Sequence, residues 1–182
     1  MEQIYRQQLL NVVKDSIQSG LANNGPKEID ATEFDPILRE RRATFVTLRL
    51  NGELRGCIGS LNAYQPLVED LSDNAYSAAF KDPRFPPLSA SELAKLEYHI
   101  SILTEPASID FTSEANLIEQ LRPHKDGLVL SEGNNQGTFL PSVWEQLPDK
   151  ISFLQHLKLK ANLPADYWSD HIEVSRYEVE SF

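Results

Sequence analysis

The chain has 182 residues, 41% hydrophobic, 9% aromatic and 24% charged, a profile that fits a compact soluble protein of one domain or two small lobes. Its 17 Lys and Arg stand against 27 Asp and Glu, and the resulting net charge of −10 excludes a general duplex-DNA binder, whose phosphate affinity needs concentrated positive charge. The single cysteine, Cys57, excludes an internal disulfide or a Cys-rich zinc cluster, and the four histidines are too scattered for a metal site, so neither metal nor cofactor is expected.

No continuous apolar run near the start resembles a signal peptide or a membrane span, so a cytoplasmic protein without a membrane anchor is expected. Ile4, Tyr5, Leu9, Val12, Val13, Ile17 and Leu21 recur at helical spacing and predict an amphipathic helix, stopped by Gly20 and the Asn23-Asn24-Gly25-Pro26 run. Residues 27 to 42 read as an irregular surface crossing ending in Arg39-Glu40-Arg41-Arg42. Ala43 to Leu50 and Glu53 to Leu61 flank Asn51-Gly52, the strongest short hairpin signal. On the second arm, strict alternation puts Leu54, Gly56 and Ile58 on one face and Arg55, Cys57 and Gly59 on the other, provided no bulge intervenes.

Pro66 suits the first turn of a helix running to Phe80, which the Asp82-Pro83-Arg84-Phe85-Pro86-Pro87 stretch must end. Ser89 to Glu92 has capping-box spacing for a short helix, and Glu97 to Thr104 reads as a strand. A short helix over Ser113 to Leu121, a strand over Gly127 to Leu130 and a turn at Gly133 to Gly137 follow. Pro141 to Leu147 reads as a helical turn, Lys150 to Leu163 as a helix, and Ile172 to Val179 as a closing strand with a period slip near Arg176. Short strands and helices without regular βαβ spacing predict an α+β fold with largely antiparallel sheets and flanking helices.

Two glycines three apart in a strand weaken it unless another backbone or a ligand comes close, so Leu54-Arg55-Gly56-Cys57-Ile58-Gly59 demands a reason. This string resembles the signature of the AMMECR domain family, called protein A in bacterial AmmeMemoRadiSam gene sets. The blocks Ala43 to Leu48, Asp82 to Leu88, Ile100 to Thr104, Thr138 to Val143, Lys160-Ala161 with Leu163, and Tyr167-Trp168 follow in family order, so the likeness covers about residues 40 to 182. The resemblance implies one AMMECR-type domain over 1 to 182, made of two unequal α+β lobes. It also implies a cytosolic protein found beside a Memo-like dioxygenase-superfamily protein and a radical-SAM protein, with no defined reaction. Where relatives read glycine this chain has Asn162, and where many bacterial relatives carry a second cysteine it has Lys158, which argues against a two-cysteine redox mechanism.

Cys57, between the motif glycines Gly56 and Gly59 and with Arg55 or Arg84 as a nearby cation, is a candidate nucleophile; its plainer reading is a small buried hydrophobe. A nucleophile needs a base, for which His99 and His124 are candidates. Arg84, in a proline-rich turn, can clamp an anion or lock its own turn against Asp82. If Arg84 reaches the Gly56 to Gly59 backbone, exposed N–H groups with Arg55 and Arg84 form a pocket for a small anionic ligand. Residues 39 to 55 hold five arginines and two glutamates, a patch that could steer RNA, and Phe139 to Trp144 could either wall a pocket or plug a core. No Walker loop, nucleophile-elbow serine, Rossmann glycine set or His-Glu-x-x-His occurs. The expectation is therefore an accessory protein that binds an anion or a partner enzyme through Arg55, Gly56, Gly59 and Arg84. A Cys57-dependent enzyme and an RNA-associated scaffold are the alternatives.

Overall fold

The computed structural model describes all of residues 1–182, arranged as five α-helices and two four-stranded antiparallel sheets, the α+β mix expected. The chain divides into two compact units, Met1–Leu103 with Glu180–Phe182, and Thr104–Val179. No helix is long and apolar enough to cross a membrane.

In the first unit, α1 (Gln3–Asn23) and α3 (Leu67–Phe80) pack on a sheet of order β2-β1-β3-β8, built from β1 (Thr44–Leu50), β2 (Glu53–Gly59), β3 (Leu96–Leu103) and β8 (Val179–Ser181). The core joins Leu9, Val13 and Ile17 of α1 to Leu71 and Ala75 of α3 and to Val46, Leu48 and Ile100 of the sheet. The hairpin turn forms as expected, with Asn51 and Gly52 at φ of 54° and 81°. The 27–42 crossing is more ordered than its composition suggests. It holds a 3-10 turn at Ala31–Glu33, where Asp30 caps Thr32, and a one-turn helix α2 (Pro36–Arg39) that buries Leu38.

The second unit sets α4 (Glu114–Gln120) and α5 (Lys150–Lys160) with a sheet of order β4-β7-β5-β6, made of β4 (Ala107–Ser108), β5 (Gly127–Glu132), β6 (Asn135–Phe139) and β7 (Glu173–Tyr177). Trp144 is fully buried, stacks on Phe153 with ring centroids 3.7 Å apart, and donates its indole N–H to Asp126 O. The Phe139 to Trp144 stretch is thus a core plug.

Four expectations are corrected. The Gly133 to Gly137 cluster is a two-residue hairpin loop followed by a strand, because Gly137 sits in β6 where α5 comes close: a Cβ there would meet Ala161 N at 2.7 Å. Ala107–Ser108 adds a strand too short to show a period. The short helix led by Ser89 to Glu92 is a single 3-10 turn, Leu93–Lys95; the capping-box bond forms, with Glu92 Oε2 accepting from Ser89 N at 2.8 Å while Oε1 accepts from Arg55. The slip near Arg176 marks a division, with β7 in the second sheet and β8 in the first.

Asn162 occupies the left-handed position that ends α5, at φ 61°. Leu163 N donates to Lys158 O and Asn162 N to Leu159 O, the two bonds of a Schellman cap. Glycine suits that position best and asparagine next, so Asn162→Gly should be neutral or raise stability by up to about 0.5 kcal/mol, and Asn162→Ala should lower it by about 1 kcal/mol. Thermal melts of both variants check this. Lys158 is 1% exposed and holds Glu114 at 2.7 Å and the Tyr167 carbonyl at 3.0 Å, so this lysine serves as a buried tie within the second unit.

Candidate functional site

The Leu54 to Gly59 and Asp82 to Phe85 segments meet in the first unit, along β2, the edge strand of its sheet. A bulge sets the arrangement. Leu48 faces Gly56 while Arg49 faces Leu54, so Arg55 is the extra residue. Arg55 therefore does not share a face with Cys57, contrary to strict alternation. It turns into the 86–92 segment, where Nε donates to Glu92 Oε1 at 2.6 Å and Nη2 to Pro86 O at 2.9 Å, with the Phe85 ring 5.9 Å from the guanidinium. At 8% exposure, with Nη1 buried and unpartnered, Arg55 is not placed to hold an incoming anion. Its guanidinium holds the Glu92 carboxyl at about 2, below the ordinary 4.5.

The two glycines answer to packing. A Cβ on Gly56 would run into the carbonyl of Ala78 in α3, and one on Gly59 into Thr44 O and the Phe45 ring. Neither opens a space beside the strand, and each lets another group of the unit close down on β2.

The backbone of Cys57 points outward from the edge and is met by side chains. Its N–H donates to Asp82 Oδ2 at 2.8 Å and its carbonyl accepts from Arg84 Nη2 at 3.2 Å. Arg84 in turn donates to Asp82 from N at 3.1 Å, Nε at 2.9 Å and Nη2 at 2.7 Å. Those bonds hold the Asp82 carboxyl far below the usual carboxylate range, with the Arg84 hydrogen bonds as the largest cause. The Asp82–Arg84 pair thus does for Cys57 what a neighbouring strand would do, and protects an open edge. Asp82 is 2% exposed at its side chain while Arg84 is 53% exposed, so the guanidinium is held from below and open above. The pocket expected from free N–H groups is already filled at Cys57 by Asp82.

The Cys57 thiol lies on the face of the sheet opposite the α1–α3 core. Thr47 Oγ1 is 3.2 Å from its sulfur, and register sets His99 of β3 opposite Thr47, giving a row Cys57, Thr47, His99 across three strands. Cys57 is partly exposed and His99 exposed. Two strand spacings separate them, about 10 Å, which is beyond direct proton transfer. His124 belongs to the second unit, in the turn before β5. The arginine-rich stretch is dispersed: Arg55 pairs with Glu92, Arg42 lies 3.5 Å from Glu40, and Arg49 donates to Gly52 O. No three His, Cys, Asp or Glu side chains gather at a spacing that could hold a metal ion.

Two neighbouring grooves of about 520 and 350 Å³ run along residues 26–32 and α3, lined among others by Glu28, Asp30, Glu69 and Asp73. Their acidity does not suit an anion, which leaves Arg84 as the exposed, fixed cation beside the motif. Glu92 and Thr47 complete the arrangement and were not singled out from sequence as partners of Arg55 and Cys57; the only signal was the spacing of Ser89 to Glu92, which reads equally well as a helix cap.

Comparison with known proteins gives a consistent picture. The AMMECR1 family profile matches residues 10–182. The Methanosarcina barkeri protein Mbar_A1807 is 42% identical over 158 residues, covering 86% of this chain and 77% of that protein. The Methanocaldococcus jannaschii protein MJ0810 is 37% identical over 160 residues, covering 86% and 80%. Among solved structures, the crystal structure of uncharacterized protein PH0010 from Pyrococcus horikoshii superposes with a TM-score of 0.85 at 31% identity, over 100% of this chain and 92% of that one.

Proposed function

Since the chain belongs to the AMMECR1 family, whose matched relatives carry no stated activity, we propose from the site that it is an accessory binding protein. It docks an acidic group of a partner protein on the Arg84 guanidinium beside β2. The observation that supports this most directly is the state of Arg84: Nε and Nη2 are fixed by Asp82 and the Cys57 carbonyl, Nη1 has no protein partner, and the side chain is 53% exposed. A guanidinium held this way loses little side-chain freedom on binding, which favours affinity. The partners to try are the Memo-like and radical-SAM proteins that the family resemblance brings with it.

Titration calorimetry of each partner against wild type, Arg84→Ala and Cys57→Ala tests the reading. Arg84→Ala is expected to weaken binding by about tenfold or more, and Cys57→Ala by no more than about twofold. Circular dichroism establishes that both variants are folded. If neither substitution changes affinity, the docking site is not here.

A second reading has one observation in its favour, the partly exposed Cys57 thiol within 3.2 Å of the Thr47 hydroxyl. In that reading Cys57 is the nucleophile of an enzyme. It lacks a base in direct reach, and the alkylation rate of the sole thiol across pH separates the two readings: a thiol reacting as an ordinary one, with half-maximal rate near ~8.5, leaves the binding reading in place.

A further inference from the structure

Four donors converge on the Asp82 carboxylate, two to each oxygen: Cys57 N at 2.8 Å and Arg84 Nη2 at 2.7 Å on Oδ2, Arg84 Nε at 2.9 Å and Arg84 N at 3.1 Å on Oδ1. A bidentate guanidinium joined by two backbone amides is a complete receptor for a planar carboxylate. Its walls do not depend on Asp82 alone. Arg84 is also held by the Cys57 carbonyl at 3.2 Å and rests over the Phe85 ring at 5.5 Å, and the Cys57 amide is fixed by the pairing of β2 with β1.

We infer that this is a carboxylate-binding site whose resident ligand is the chain's own Asp82, and that it accepts a small free carboxylate when that side chain is removed. In the native protein the occupied site does not compete for ligands, and an incoming acidic group reaches Arg84 only at Nη1. The inference rests on the donor geometry and stands apart from the proposed partner docking, which involves the opposite edge of the guanidinium. Formate is the ligand that matches the group lost in Asp82→Ala, and acetate the one that matches Asp82→Gly. A tetrahedral sulfate lacks the planar two-oxygen shape that the fork requires.

The experiment is a thermal melt of Asp82→Ala in sodium formate, against sodium chloride at equal ionic strength, with wild type and the Asp82→Ala/Arg84→Ala double variant alongside. Asp82→Ala is expected to melt lower than wild type, and formate to raise its midpoint saturably, by about 3–5 °C at roughly ten times the half-saturating concentration. Wild type and the double variant should show the same midpoint in formate as in chloride. Should Asp82→Ala be unfolded at the starting temperature, formate should restore a cooperative transition. A variant that responds equally to formate and chloride, or a double variant that responds as well as the single one, overturns the inference. These outcomes do not depend on any partner protein, so they are separable from failure of the docking proposal.

Discussion

Gly56→Ala should destabilise the protein by about 3 kcal/mol in urea denaturation followed by circular dichroism. Overpacking usually costs less when the neighbour is a flexible side chain that can turn aside. Here the added methyl meets backbone: the Ala78 carbonyl oxygen is in its way and the carbonyl carbon is only 3.0 Å off. That carbonyl belongs to α3, whose Val68, Leu71 and Ala75 are fully buried in the first core, so relief requires moving a helix against the sheet. Gly25→Ala, at a position with nothing within 4 Å of the new atom, is the control and should change stability by less than about 0.5 kcal/mol. Equal effects from the two substitutions would refute the packing explanation for the first motif glycine.

Glu92→Gln should lower stability at pH 7 by about 2 kcal/mol, and the loss should shrink as the solution is acidified. Arg55 and Glu92 are 10% and 22% exposed at their side chains, and the carboxylate also accepts from Ser89 N and Oγ, so an amide in its place leaves a largely buried guanidinium with a weaker partner. Because the folded carboxyl sits at about 2 and the ordinary value is 4.5, its stabilisation is fully present above about pH 5 and is lost as pH falls toward 2. Wild type and Glu92→Gln should therefore converge across that window. Asp82, also depressed, makes wild type and variant alike less stable over acid pH, so only the difference between the two curves reports on Glu92. A difference that stays constant from pH 7 to pH 2 would mean that the ion pair contributes nothing to folding.

Much of the first unit was legible because local chemistry and tertiary packing agree there. Asn51-Gly52 demanded a tight turn, and helical spacing in Leu9, Val12, Val13 and Ile17 demanded one buried stripe; both appear. That Arg84 reaches the Gly56 to Gly59 backbone was a condition the sequence could pose but not answer; it is met at Cys57. What sequence could not carry was the direction of each side chain. One extra residue in β2 sends Arg55 away from Cys57, and such an insertion leaves no trace in a six-residue string. Sequence set an Arg84 that clamps a ligand against one that locks its own turn; the structure shows the turn locked through Asp82, whose carboxylate Cys57 N shares, with the guanidinium still 53% exposed. In the second unit β6 was hidden by its own composition: Asn135, Gln136 and Gly137 read as turn residues until the proximity of α5 supplies the reason for a glycine within a strand. His99 could be given a strand from its neighbours, but its distance from Cys57 follows from strand order, a global property.

The division of β7 and β8 between the sheets bears on how the protein is assembled. Residues 104–179 form one uninterrupted stretch that leaves the first sheet after β3 and returns to it at β8, the strand next to β3. The second unit is therefore an insertion between two neighbouring strands of the first. During synthesis the first sheet can have only three strands until residues 180–182 have been made, and the outer edge of β3 lies open for that time. The inserted unit has all of its own strands as soon as residue 177 has appeared, so it can finish folding before β8 is in place.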